Sequence, residues 1–99
     1  MAQFDVHELN SGGLVLDCQS DAVSGIVATR FVVPLFQPDA VPRLMKNLHP
    51  ILKSPDGDLL MATHLATAVP VKDLSRPIAS MQAQRYTITN ALDFLITGV

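Results

Sequence analysis

The side chains in this sequence best suited to metal binding or nucleophilic chemistry are three histidines, His7, His49 and His64, and one cysteine, Cys18. Protein zinc sites gather three or four such ligands at short spacings, as with two histidines four residues apart on a helix. No pair here stands at that spacing, and Cys18 alone cannot complete a set. His7 is expected on the polar face of a strand. His49 precedes Pro50, and His64 follows Thr63 at a strand end. Each reads as a surface or structural residue. Cys18 ends the run Leu14-Val15-Leu16-Asp17-Cys18 and is expected to be a buried thiol, since free cysteine packs as a small hydrophobe. A single cysteine excludes an internal disulfide.

The carboxylates offer no better constellation. Asp56 and Asp58 flank Gly57, a pair of the type used in metal or acid–base work, but Asp beside Gly is what a tight turn selects. Ser20-Asp21 follows a strand without a histidine whose position is motivated beside it. Ser11-Gly12-Gly13 lacks the glycine spacing that cradles phosphates. Catalysis needs several ionisable groups converging on one point. No catalytic residue, metal site or cofactor is therefore expected, and the protein is expected to act by binding rather than as an enzyme.

The elements that position these residues alternate short apolar runs with turn signals. Gln3 to Glu8 places Phe4 and Val6 on one side and Gln3, Asp5 and His7 on the other, a strand period. Asn10-Ser11-Gly12-Gly13 is a turn cluster, and Leu14 to Gln19 reads as the second strand of a hairpin. Arg30-Phe31-Val32-Val33-Pro34-Leu35 is a third strand. Pro34 lacks the N–H of a central ladder, so its end is expected at an edge or bend. Gln37 to Pro42 is loop, and a short helical turn is expected over Arg43-Leu44-Met45-Lys46. Ile51-Leu52-Lys53 and Leu59-Leu60-Met61 flank Pro55-Asp56-Gly57, where Pro pre-sets one φ and Gly permits a positive one. That predicts another hairpin. Ala68 to Val71 reads as an edge strand.

The last twenty residues change period. Ile88, Ala91, Leu92 and Leu95 fall at i, i+3, i+4 and i+7, the stripe of an amphipathic helix. Pro77 lies where such a helix begins, Ser80 is a candidate cap, and Gly98 ends it. The expectation is one domain over residues 1–99, an α+β fold of five or more antiparallel strands with a C-terminal helix.

Composition narrows the function. Of the 99 residues, 48% are hydrophobic and 16% charged. A chain this short buries only about two-thirds of its unfolded surface, so an exposed apolar patch and a homodimer are expected. The net charge is -2 with no basic run, which argues against direct nucleic-acid binding. The N-terminus has neither the basic start nor the apolar core of a signal peptide, and no stretch approaches the roughly 18 apolar residues of a membrane span. A cytoplasmic protein without membrane contact is expected. Polar chain ends are usual, yet Phe94-Leu95-Ile96-Thr97-Gly98-Val99 is largely apolar. The helix end is expected to pack on the core, to enter a dimer seam, or to insert into a partner.

Several segments resemble the CcdB family of plasmid and chromosomal toxins. They are Gln3-Phe4 with Val6, Leu14 to Asp21, Arg30-Phe31-Val32-Val33-Pro34-Leu35, Leu48-His49-Pro50, Ala68-Val69-Pro70-Val71, Thr89-Asn90-Ala91-Leu92 and Gly98-Val99. Their order, spacing and total length carry the resemblance, which covers nearly the whole chain. It implies an SH3-like antiparallel barrel with a C-terminal helix, forming a homodimer. It further implies a toxin of a toxin–antitoxin system that enters the cavity between DNA gyrase A subunits and traps the cleaved-DNA complex. A CcdA-like antitoxin, folding onto the toxin, would neutralise it. Carried over by position, the gyrase-binding residues are Ala22, Val23, Asp93, Ile96, Thr97, Gly98 and Val99. The chain departs from the family pattern in three of them: Thr97 stands in place of a Trp, Asp93 in place of an Asn, and Ala22 in place of a larger Ile. A stacking Trp is a strong interface anchor, so a non-poisoning homologue that dimerises and binds antitoxin is a second expectation. A ribonuclease is a third, since the same barrel hosts endoribonuclease toxins, although fold does not fix function.

Overall fold

The computed structural model describes residues 2–43 and 45–98. The strands are β1 (Asp5–Glu8), β2 (Leu14–Asp17), β3 (Thr29–Phe36), β4 (Ile51–Ser54), β5 (Gly57–Met61), β6 (Thr67–Pro70) and β7 (Ala79–Ser80), followed by helix α1 (Arg85–Thr97). Antiparallel pairing orders them β4-β5-β3-β2-β1-β7, with β6 on β3. The result is a nearly closed barrel with one C-terminal helix: the strands and helix are those the sequence pattern predicts, and the barrel is what the resemblance implies.

Both expected hairpins form. β1 pairs β2 with Val6 opposite Leu16. β4 pairs β5 with Ser54 opposite Gly57. Gly57 has φ 123°, a conformation that a Cβ would strain. β3 is the hub. Its first half, Thr29–Val32, pairs β6, while Leu35 and Phe36 pair β5. Pro34 sits at the changeover. Its carbonyl accepts the N–H of Ala62 at 3.0 Å, so its nitrogen faces the same side, where the neighbouring strand changes. The missing donor thus falls at the bend, where its absence costs least.

Each face of the β1–β2–β3 sheet is covered. Inside the barrel, Val6, Leu16, Val33, Leu35, Leu52, Leu59, Met61 and Met81 pack with Ile88 and Ala91 of α1. Burying one such aliphatic side chain contributes about 2 kcal/mol. On the opposite face Val15, Val32 and Leu74 form a second cluster with Leu9 and Val69. This second cluster corrects the reading of β1 as a strand with one wet face. The segment after β6 returns along β1, with Ser75 N–H donating to Glu8 O and Ile78 N–H to Val6 O at 2.9 and 2.8 Å. It buries His7 completely. Phe4, just before β1, holds φ at 71°. Its N–H is bonded to Asp17 O and its carbonyl accepts Met81 N–H, so this strained backbone is pinned from both sides.

The helix begins later than Pro77 and Ser80 predict. Ser80 Oγ instead accepts the N–H of Gln82, the first residue of a 3₁₀ turn over Gln82–Gln84 that leads into α1 and whose N-cap position is Met81. At the far end the expectation holds: Gly98 is left-handed, and its N–H donates to Phe94 O at 2.9 Å. The expected helical turn over 43–46 includes Leu44, outside the described residues. The turn that forms comes after it, with Leu48 and His49 both donating to Met45 O.

Candidate functional site

Helix α1 buries Ile88 and Ala91 and half-buries Leu92. Leu95, expected to extend that stripe into the core, is 41% exposed. In the final turn Phe94 stays half-buried, while Ile96 beside Leu95 is 80% exposed. An isolated exposed isoleucine is ordinary, but one beside exposed Leu95 at a helix end makes an apolar tip.

The carried-over residues fall into two segments. Asp93, Ile96, Thr97 and Gly98 share the last turn of α1 and its cap, and all are exposed. The Thr97 hydroxyl folds back to donate to Asp93 O at 2.7 Å. Val99 lies outside the described residues. Ala22 and Val23 belong to the turns between β2 and β3, where Val23 N–H donates to Ser20 O and Ala22 N–H to Ser20 Oγ. The same loop exposes Ile26 and Val27. Asp21 anchors it by accepting Gln3 N–H at 2.9 Å.

Asp93 also lines a cleft of about 470 Å³ between α1 and the chain after β3, with Thr87, Asn90 and Phe94 on the helix side and Lys46, Asn47 and Pro50 opposite. Ala22 and Val23 are not among its walls.

Three polar arrangements escape the sequence reading. Arg30 Nε donates to Asp17 Oδ2 at 2.7 Å, and the guanidinium closes a buried ion pair on that carboxylate. Both carry charge inside apolar strands. Since Asp17 pairs in register with Val32, Arg30 lies two residues along the same face, and only that register brings the two charges together. Next to it, burial and the Asp17 carboxylate push the Cys18 thiol up to about 12, as expected of a packed thiol. His7, assigned to a polar face, is buried. Its Nδ1 lies 2.8 Å from Ser75 O, so it carries the hydrogen, and its Nε2 has no bonding partner.

The third arrangement joins His49 and His64, fifteen residues apart. His49 Nε2 lies 2.8 Å from His64 Nδ1, with the rings edge to face at 79°. Burial, then His64, then Arg43 hold His49 below the ordinary histidine range. Among the described residues, no three histidine, cysteine or carboxylate side chains gather as metal ligands, and no helix is long and apolar enough to cross a membrane.

The family of CcdB proteins matches the sequence over residues 3–98. The chain belongs to the CcdB family. Its fold is similar to that of the Mycobacterium tuberculosis toxin MazF-mt6, with a TM-score of 0.73 over 93% of each chain at 17% identity. No curated protein sequence matches it significantly.

Proposed function

We propose that this CcdB-family protein is the toxin of a toxin–antitoxin pair. It acts as a homodimer on the A subunit of DNA gyrase, trapping the cleaved-DNA complex, and is neutralised by a CcdA-like antitoxin. It does so by binding, without a catalytic residue or cofactor of its own. The observation that carries this reading is the projecting helix end, where Ile96 is exposed on a chain matching the family from residue 3 to 98. Asp93, Ile96, Thr97, Gly98 and Val99 form the main contact in this reading, with Ala22 and Val23 from the β2–β3 loop of the dimer. Exposed apolar side chains beside each other are typical of partner surfaces.

The test is induced expression in hosts with normal and mutant gyrase, with and without the antitoxin, alongside binding of purified protein to the gyrase A dimer. Growth arrest relieved by antitoxin and by the gyrase mutation supports the reading. No binding to gyrase A at any concentration tested removes it.

One observation favours a second reading, a non-poisoning homologue that dimerises and binds antitoxin. Thr97, in place of the family's Trp, spends its hydroxyl on Asp93 O of its own helix and offers no flat face to a cation. Harmless expression together with antitoxin binding identifies this case. Cleavage of RNA by the purified protein would point instead to a ribonuclease.

A further inference from the structure

The His49–His64 pair belongs to neither reading, and its hydrogen-bond geometry fixes where the protons sit. Met45 N–H donates to His49 Nδ1 at 3.2 Å. An imidazole nitrogen that accepts carries no hydrogen, so neutral His49 bears its hydrogen on Nε2. That hydrogen points at His64 Nδ1, 2.8 Å away. His64 must then accept there and carry its own hydrogen on Nε2. The chain of bonds runs one way, from Met45 N–H through both rings.

We propose that His49 and His64 form a pH-operated latch on the segment from Met45 to His49, closed while both rings are neutral and released by one added proton. A second proton on His49 would sit on Nδ1 and face the Met45 N–H. A proton on Nδ1 of His64 would face the Nε2–H of His49. Either turns one hydrogen bond into a donor–donor contact. The surroundings offer no compensation. Arg43, whose Nε donates to His49 O at 2.9 Å, is cationic. The other walls of the hollow shared by both rings are Phe36, Val41, Pro42, Leu60, Ala62 and Leu65. These come from β3, β5 and the neighbouring loops and carry no charge.

The latch matters because of what it holds. Met45 also accepts the N–H groups of Leu48 and His49, so the ring of His49 closes a compact turn. Lys46 and Asn47 ride on that turn and form the wall of the cleft facing Asn90 and Asp93 of α1. Release changes the wall beside the helix end. This holds whether or not that helix end meets gyrase.

His49 is held below its ordinary value of about 6.5 when latched and returns to it when released. The latch is therefore at full strength above that value. It weakens as pH falls below it, by up to about tenfold in the closed-to-open ratio per pH unit, until the latched ring itself protonates.

Amide hydrogen exchange of the full chain between pH 8 and pH 5 tests this. Corrected for intrinsic rates, protection of the Met45 amide is expected to fall up to about tenfold per pH unit below pH ~6.5, while Val33 in β3 stays constant. The double variant His49→Gln with His64→Gln keeps an acceptor and a donor at each position but neither side chain titrates, and its Met45 protection is expected to stay flat. Flat protection in the wild type, or the same slope in the double variant, overturns the latch. Should that variant fail to fold, imidazole nitrogen spectra of the wild type at pH 8 decide the matter. A hydrogen on Nε2 of His49 supports the latch, and one on Nδ1 overturns it.

Discussion

The side-chain amide of Gln84 is bonded at both ends to the backbone of Lys53, accepting its N–H and donating to its carbonyl, each at 2.8 Å. Lys53 lies on β4, the end strand of the sheet path, whose outer edge would otherwise present unpaired backbone groups. Gln84 thus stands in for a neighbouring strand and ties the start of α1 to the barrel wall. Gln84→Ala removes both hydrogen bonds to Lys53, worth about 1 kcal/mol each, and a weaker one to Met81 Sδ. Urea unfolding is expected to show a loss of about 1–2 kcal/mol, and the freed edge is expected to raise self-association in light scattering. Unchanged stability would mean that water replaces the amide without cost.

Asp17 and Arg30 make the costliest pair to break. Removing one partner strands a buried charge, at about 3–5 kcal/mol. Asp17→Ala and Arg30→Ala are each expected to lower unfolding free energy by that amount in denaturant titrations. The double variant Asp17→Ala with Arg30→Met leaves no charge behind and is expected to lose clearly less than the sum. Additive losses would show that the two side chains do not act together.

Cys18 gives a chemical readout of packing. A thiol pushed up to about 12 from 9.0 has roughly a thousandfold less thiolate at pH 8. Native protein is expected to react with a disulfide reagent at that much lower rate, with full reactivity returning in denaturant. Rapid reaction of the native protein would mean that the β2 region opens readily.

The sequence made the strands and the helix legible because each carries its own period or turn. Val6 and Leu16 alternate with their neighbours, Pro55-Asp56-Gly57 enforces a hairpin, and Gly98 stops a helix. Placement across long separations was less legible. His7 alternates correctly but faces a second core, because residues about 68 positions later return to cover it. Leu95 keeps helical period with Ile88, yet it is exposed where Ile88 is buried, and period alone does not say how far along a helix the covering extends. His49 and His64, fifteen positions apart, meet only because β4, β5 and the turn after them fold the chain between them back on itself. The candidate site itself came through family resemblance. From the residues alone, only the apolar run Phe94-Leu95-Ile96 stood out.

The helix tip separates a binding role from a structural one. Ile96 is 80% exposed, so Ile96→Asp removes little buried area and is expected to change stability by less than about 0.5 kcal/mol. A charge at the centre of an apolar contact is costly, and the same variant is expected to weaken binding to gyrase A by about tenfold or more in calorimetry. Thr97→Trp restores a flat face at the neighbouring position, at the loss of one exposed hydrogen bond to Asp93 O. Its affinity is expected to rise by roughly thirtyfold or more, and toxicity on expression with it. The two variants are informative together. Weakening by Ile96→Asp with strengthening by Thr97→Trp places the contact on this turn. No change in either moves the partner surface elsewhere on the protein. A large stability loss from Ile96→Asp would mean that the tip is already covered, as it would be in the seam of a dimer.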